Sequence, residues 1–277
     1  MMLVCGFVAL FMVVVIPLIA TQTGRHGLLG CERLRLVALN AFAATNPDYI
    51  LDSGVGDDAQ DCDSNYRDVL SVHIGPRMAM ADPPYWSDEI SERSRSAVQV
   101  PSVQPWRMTN ILAAMDEDEP TRLFGDTRAF IEKARGDSVL RHSAVQVVIY
   151  LDKAVSESAM RKIWPDPGVI FLSGPLAGKP LSWEPTSFCR YRGFDTCHLS
   201  GNAEPLVTEF RRWVSLLEPK DSPVLEQFGL NIADLRSRAS EGLVYGFTAK
   251  NIPDSISKLV ADPRVRAAFV VDVRPPE

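Results

Sequence analysis

Few residues of this 277-residue chain have the types and spacing that chemistry needs, and each case has a plainer reading. Asp57, Asp58, Asp61 and Asp63 crowd together as in a calcium loop, but the stretch lacks the loop glycine and closing Glu of an EF-hand. It reads as a solvated acidic loop. Gly174-Pro175-Leu176-Ala177-Gly178-Lys179-Pro180 imitates a phosphate-binding loop. It is one residue short between its glycines, and Pro180 stands where a metal-binding hydroxyl is required. Ser255 and Lys258 satisfy Ser-x-x-Lys, which puts hydroxyl and amine on one helix face, but no Lys-Thr-Gly accompanies them. A capped, solvated helix start is expected there. His26, His73, His142 and His198 are too scattered to nominate a base, and neither Gly-x-Ser-x-Gly nor His-Glu-x-x-His occurs. The reading is therefore not an enzyme, with no catalytic, cofactor-binding or metal-binding residue to name.

The cysteines leave two states open. Cys5 lies in an apolar run, while Cys31, Cys62, Cys189 and Cys197 could form two disulfides or remain free thiols, and spacing does not give connectivity. Cys189 and Cys197 are the one close pair, in a loop-like setting. A metal site with His198 lacks a second pair of ligands. The formal net charge of −6 argues against direct nucleic-acid binding, which rests on clustered Lys and Arg.

The stretch that positions everything else is Met1 to Thr23, which carries no charged side chain. About 20 apolar residues rise roughly 30 Å as a helix, enough to span a bilayer. Twelve residues between Leu3 and Ile19 are Leu, Ile, Val or Phe, which favours insertion by roughly 4 to 7 kcal/mol. A cleaved signal peptide would need a basic start and a small-x-small cleavage site, and neither is present. An uncleaved single span at 1–23 is expected. Arg25, Arg33 and Arg35 follow it with nothing basic before, which by the positive-inside rule alone would put the remainder in the cytoplasm.

Beyond the span, Leu34, Leu36, Val37, Leu39 and Phe42 predict a juxtamembrane helix within 24–47, stopped by Asn46-Pro47. The 48–140 region reads as a connecting, membrane-proximal segment with weak signals, Val69 to Ile74 being a candidate strand and Asp116 to Glu119 a loop or helix end. Clear patterning begins at Ala144. Val145 to Tyr150 predicts a strand, Ser156 caps a short helix from Glu157 to Trp164, and Val169 to Leu172 predicts a second strand. The same order returns in Leu243 to Ala249, Asp254 to Val260 and Val265 to Val273. Slid by 96 residues, the copies align Val148 with Val244, Lys162 with Lys258 and Asp166-Pro167 with Asp262-Pro263, the trace an internal duplication leaves. Val148 and Val244 should then occupy equivalent strand positions. Between the copies, Leu206, Phe210, Trp213, Val214 and Leu217 mark one amphipathic helix, while Val224, Leu225, Phe228, Ile232 and Leu235 mark a second. The expected fold is α+β: a transmembrane helix, then an α/β sandwich of two strand-helix-strand units, ferredoxin-like or related, with helices on one face.

Val148-Ile149-Tyr150-Leu151-Asp152-Lys153-Ala154-Val155-Ser156 and Val244-Tyr245-Gly246-Phe247-Thr248-Ala249, leading into Leu259, Asp262-Pro263 and Val265-Arg266-Ala267, resemble the sigma factor regulator C-terminal domain of membrane-bound bacterial anti-sigma factors. The resemblance covers about 141–273 of a 141–277 domain and implies an extracytoplasmic sensor that relays a signal through one membrane span. It implies no catalysis and no cofactor, and leaves the ligand unknown. The family carries a cytoplasmic sigma-binding segment ahead of its span, and this sequence contains none. A sigma-factor partner therefore implies an upstream portion; otherwise the chain is a surface-anchored interaction module or, less in keeping with the residues, a cell-envelope hydrolase.

Overall fold

The computed structural model describes residues 30–52, 69–77, 86–94, 97–104, 107–114, 120–173, 181–184 and 204–275. The Met1–Thr23 run lies outside these residues, and among them no helix is long and apolar enough to cross a membrane. The expected helix after it is present. Cys31–Leu34, a π-helical Arg35–Leu39 and Asn40–Thr45 run on as one helix, α1. Every residue from Val37 to Thr45 is buried, and a helix covered on all sides belongs to a core. Asn40 and Asn46 both fold back on the helix: the Asn40 side-chain amide donates to the Leu36 carbonyl at 2.8 Å, and the Asn46 side-chain amide donates to that of Phe42 at 2.9 Å.

Eight helices occur among the described residues: α1, α2 (Arg107–Ala114), α3 (Pro120–Gly136), α4 (Glu157–Met160), α5 (Leu206–Ser215), α6 (Ser222–Gln227), α7 (Ile232–Glu241) and α8 (Pro253–Val260). The strands β1 (Tyr49–Asp52), β2 (Val69–Pro76), β3 (Trp86–Ser94) and β4 (Ala97–Gln99) pair antiparallel in chain order. A second sheet holds β5 (Ala144–Ser156), β6 (Ile170–Phe171), β7 (Ser182–Trp183), β8 (Leu243–Asn251) and β9 (Val265–Arg274) in the order β7-β6-β8-β5-β9. The fold is α+β with two sheets. One apolar cluster joins Leu51, Leu70 and Ile74 of the first sheet, Leu34 to Ala44 of α1, Trp213 of α5 and Val147, Ile149 and Phe247 of the second. Packing therefore continues across the boundaries expected at 47 and 140.

On β5, Val147 and Ile149 enter this cluster while the alternating Val148 and Tyr150 enter a smaller one with Met108 and Leu112 of α2. Helices thus cover both faces of the five-stranded sheet, where the sequence suggested one. The outer edge of β9 is also closed, because Thr127 Oγ1 donates to the Ala268 carbonyl at 2.6 Å and Arg107 Nη1 to that of Val271 at 2.8 Å.

Both strand-helix-strand units are present, and one of the two β6–β8 pairs carries the 96-residue offset. Phe171 pairs with Gly246, and adding 96 to the first and subtracting it from the second gives Ala267 and Tyr150, which also pair. The Gly168 N–H donates to the Thr248 carbonyl at 3.0 Å, and the offset partners are also bonded but in the opposite direction, the Asp152 N–H donating to the Arg264 carbonyl at 2.9 Å. Tyr150 and Gly246, 96 apart, face each other on β5 and β8. A pseudo-two-fold passes between them. The helices start in step at Glu157 and Pro253, although α4 ends at Met160 and the expected remainder to Trp164 is a turn.

The equivalence of Val148 and Val244 holds for burial, both being inaccessible, but not for face: Val148 belongs to the smaller cluster and Val244 to the main one. A register shift between Tyr150 and Val155 sets Val244 opposite Val155. The second amphipathic helix between the copies is also corrected. Gly229, at φ 72°, breaks it into α6 and α7, and Asn231 opens α7 by accepting the Asp234 N–H on its side chain at 2.8 Å.

Candidate functional site

Charged side chains pin both ends of α1. At its start, Arg33 forks onto Asp221, with Nε to Oδ1 at 3.0 Å and Nη2 to Oδ2 at 2.5 Å, and Nη2 also donates to the Leu216 carbonyl at 2.6 Å. Asp221 is fully buried and accepts the Glu218 N–H at 2.7 Å, which fixes the turn that leads into α6. The Asp221 hydrogen bond, aided by the charges of Asp221 and Glu218, raises the Arg33 pKa against the cost of burial. Just past the end of α1, the buried Asp48 carboxylate takes the N–H groups of Met108 and Thr109 at 2.7 and 2.9 Å and so caps α2. Arg77 bridges the Pro47 and Tyr49 carbonyls and Glu184, at 2.8, 3.0 and 2.5 Å. In the same way Glu157 holds the first N–H groups of α5, from Leu206 at 3.0 Å and Val207 at 2.8 Å. These groups are occupied with backbone and with each other, an arrangement that fixes elements.

A cavity of about 520 Å³ opens beside α7, with Ser173 just after β6 and Leu181 just before β7 among its lining. Leu181, Leu230 and Leu235 give it apolar wall, while Ser173, Asp234, Ser237, Arg238 and Glu241 give it polar wall. Glu241 is engaged by Arg238 Nη1 at 3.1 Å and by Ser237 Oγ at 3.2 Å. Asp234 is exposed, bonds Asn231, and has no cationic partner among the described residues.

Among the described residues, those that the sequence suggested for chemistry do not line this cavity. Ser255 and Lys258 sit in the first and last turns of α8, with Lys258 exposed, as a solvated helix start would have them. His73 is exposed on β2 and His142 is exposed in a turn before β5. The Asp57–Asp63 cluster, the Gly174–Pro180 loop, His26, His198, Cys62, Cys189 and Cys197 lie outside the described residues. Among the described residues no group of three or more His, Cys, Asp or Glu could hold a metal ion. The pinning residues were unreadable in advance because their partners are far away in sequence, Asp221 being 188 positions from Arg33 and Glu184 being 107 from Arg77. The cavity left one local trace, the Gly229 and Asn231 break. Compared with known proteins, the chain matches no family model, no curated protein and no solved structure.

Proposed function

We propose that the chain is a membrane-anchored regulator of an extracytoplasmic-function sigma factor, with Met1–Thr23 as its single span and residues 141–277 as a ferredoxin-like sensor outside the membrane. The observation that carries the relay is the burial of α1. Only residues 24–30 separate the apolar run from a helix that both sheets and α5 enclose, pinned at its start by Arg33. A change in the domain core that moves α1 would therefore have only these seven residues to cross before reaching the anchor. The ferredoxin-like reading is supported by the order β6-β8-β5-β9, the order two interleaved strand-helix-strand units adopt, and by the paired contacts related by 96 residues.

The sigma factor as output rests on the resemblance of Val148 to Ser156 and Val244 to Ala267. Sigma contact would be made by residues ahead of the span. The same anchor and sensor without sigma binding, a surface ligand-binding module, is the second reading, and the cavity beside α7 favours it. Sequencing RNA from a strain deleted for the gene separates them. The first reading expects a set of transcripts sharing one promoter sequence to change several-fold and to return on complementation, while an unchanged transcriptome leaves the second.

A further inference from the structure

We propose that the face around the start of α1 rests on the membrane and engages the phosphates of anionic lipids, with Lys220 and Arg236 making the contact. The bonds of one turn gather this face. Arg33 of α1 donates to Asp221 and to the Leu216 carbonyl, Arg236 of α7 donates to the Leu217 carbonyl at 3.1 Å, and Lys220 pairs with Glu218 at 2.9 Å. Lys220 and Arg236 are both exposed. The Arg236 bond is to a carbonyl and so cancels no charge.

Taking Met1–Thr23 as the span, on which this contact depends, the chain from Thr23 to Gly30 reaches at most about 25 Å, whereas a domain of this size is roughly 45 Å across. The opposite side of the domain cannot turn onto the bilayer. The face at Gly30, itself exposed, is the one that meets it. Its charge suits that place: the connection 24–30 reads Gly-Arg-His-Gly-Leu-Leu-Gly, with no carboxylate. With the start of α1 and the Leu216–Asp221 turn included, Arg25, Arg33, Arg35, Lys220 and Arg236 stand against Glu32, Glu218 and Asp221, an excess of positive charge in a chain of formal net charge −6. Anionic lipid surfaces attract such a cluster, by about fivefold in binding for each Lys or Arg beside them.

The test places the full-length chain in lipid nanodiscs of phosphatidylcholine, alone or mixed with phosphatidylglycerol. The rate at which each lysine is acetylated by a water-soluble N-hydroxysuccinimide ester is then read by mass spectrometry. Lys220 should react about fivefold more slowly in the anionic discs, while Lys258, exposed on α8, should react alike in both. High salt and Arg236→Glu should each return the Lys220 rate toward its value in neutral discs, and the salt arm needs no variant. Co-elution of the chain with the discs reports on the anchor separately. A chain that stays outside the discs overturns the span and this contact together. A chain within them whose Lys220 reacts equally in both lipids, or slows only as much as Lys258, overturns the contact alone.

Discussion

Whether a charge stabilises this protein depends on what surrounds it, and two aspartates show the range. Asp221 is inaccessible and answers Arg33, whose side chain is 19 % exposed, through two parallel hydrogen bonds. Removing one partner of a buried pair leaves the other desolvated and costs about 3 to 5 kcal/mol. Asp221→Ala should lose that much in a urea titration, whereas Arg135→Ala, which breaks the exposed pairs with Glu132 and Asp254 and an exposed hydrogen bond to Ser257, should lose less than about 1 kcal/mol. Equal losses would mean that α1 is not pinned at Arg33. Asp262 acts at the surface. A side-chain hydrogen bond from Arg264, with that residue's backbone N–H and charge, lowers its pKa to about 2 from an ordinary 3.8. Because the folded value is the lower one, ionised Asp262 favours the folded state in full above about pH 4, and the contribution fades as pH falls toward 2. Wild type and Asp262→Asn should differ in stability by a constant amount between pH 5 and 7 and converge below pH 4. A gap that widens in acid would contradict this.

At the scale of elements, the close approach of β5 and β8 at the pseudo-two-fold requires a residue without a side chain. A Cβ added at Gly246 would lie 2.3 Å from the Ile149 carbonyl oxygen and 3.1 Å from the Phe171 ring. Backbone cannot yield there as a flexible side chain can, so Gly246→Ala should cost about 1 to 3 kcal/mol or more. Gly136, at the end of α3, has nothing within 4 Å, and Gly136→Ala should be neutral or slightly stabilising. Thermal melts of the two variants decide the matter, and similar melting temperatures would refute the tight crossing.

The elements that were legible in sequence are those whose local pattern agrees with their tertiary setting. Val145 to Tyr150 is β-branched and aromatic, and it is a strand; the Ser156 hydroxyl accepts the Ala159 N–H at 3.3 Å, as a cap should. The others fail for physical reasons. β3 reads Trp-Ser-Asp-Glu-Ile-Ser-Glu-Arg-Ser, a charged stretch held in place by antiparallel pairing with β2 and β4. α3 carries its buried Ile131 and Ala134 among exposed polar positions, a stripe too narrow to stand out. Of the cavity, only Gly229 and Asn231 offered a local signal, set within an amphipathic pattern that reads as one helix; Ser173 and Asp234 come to line one cavity through tertiary folding alone.

At the scale of the whole molecule, one helix decides how the rest is used. α1 reads as juxtamembrane from its apolar spacing, yet it is enclosed by two sheets, and its Asn40 is as buried as Phe42. A chain whose central core helix begins just past an apolar run of spanning length would hold its domain tightly against the membrane. The side of the membrane remains the deciding quantity, because Arg25, Arg33 and Arg35 pull one way and the sensor reading the other. Long domains translocate largely regardless of charge, so the proposed sensor role predicts a domain outside the membrane. The direct measurement is a fusion of alkaline phosphatase, which matures only outside the cytoplasm, after Glu277, with activity assayed in membranes washed at high pH. Phosphatase activity that stays with the washed membranes is the expected result. An inactive fusion, or activity released into the soluble fraction, would contradict an anchored domain that samples the outside of the cell.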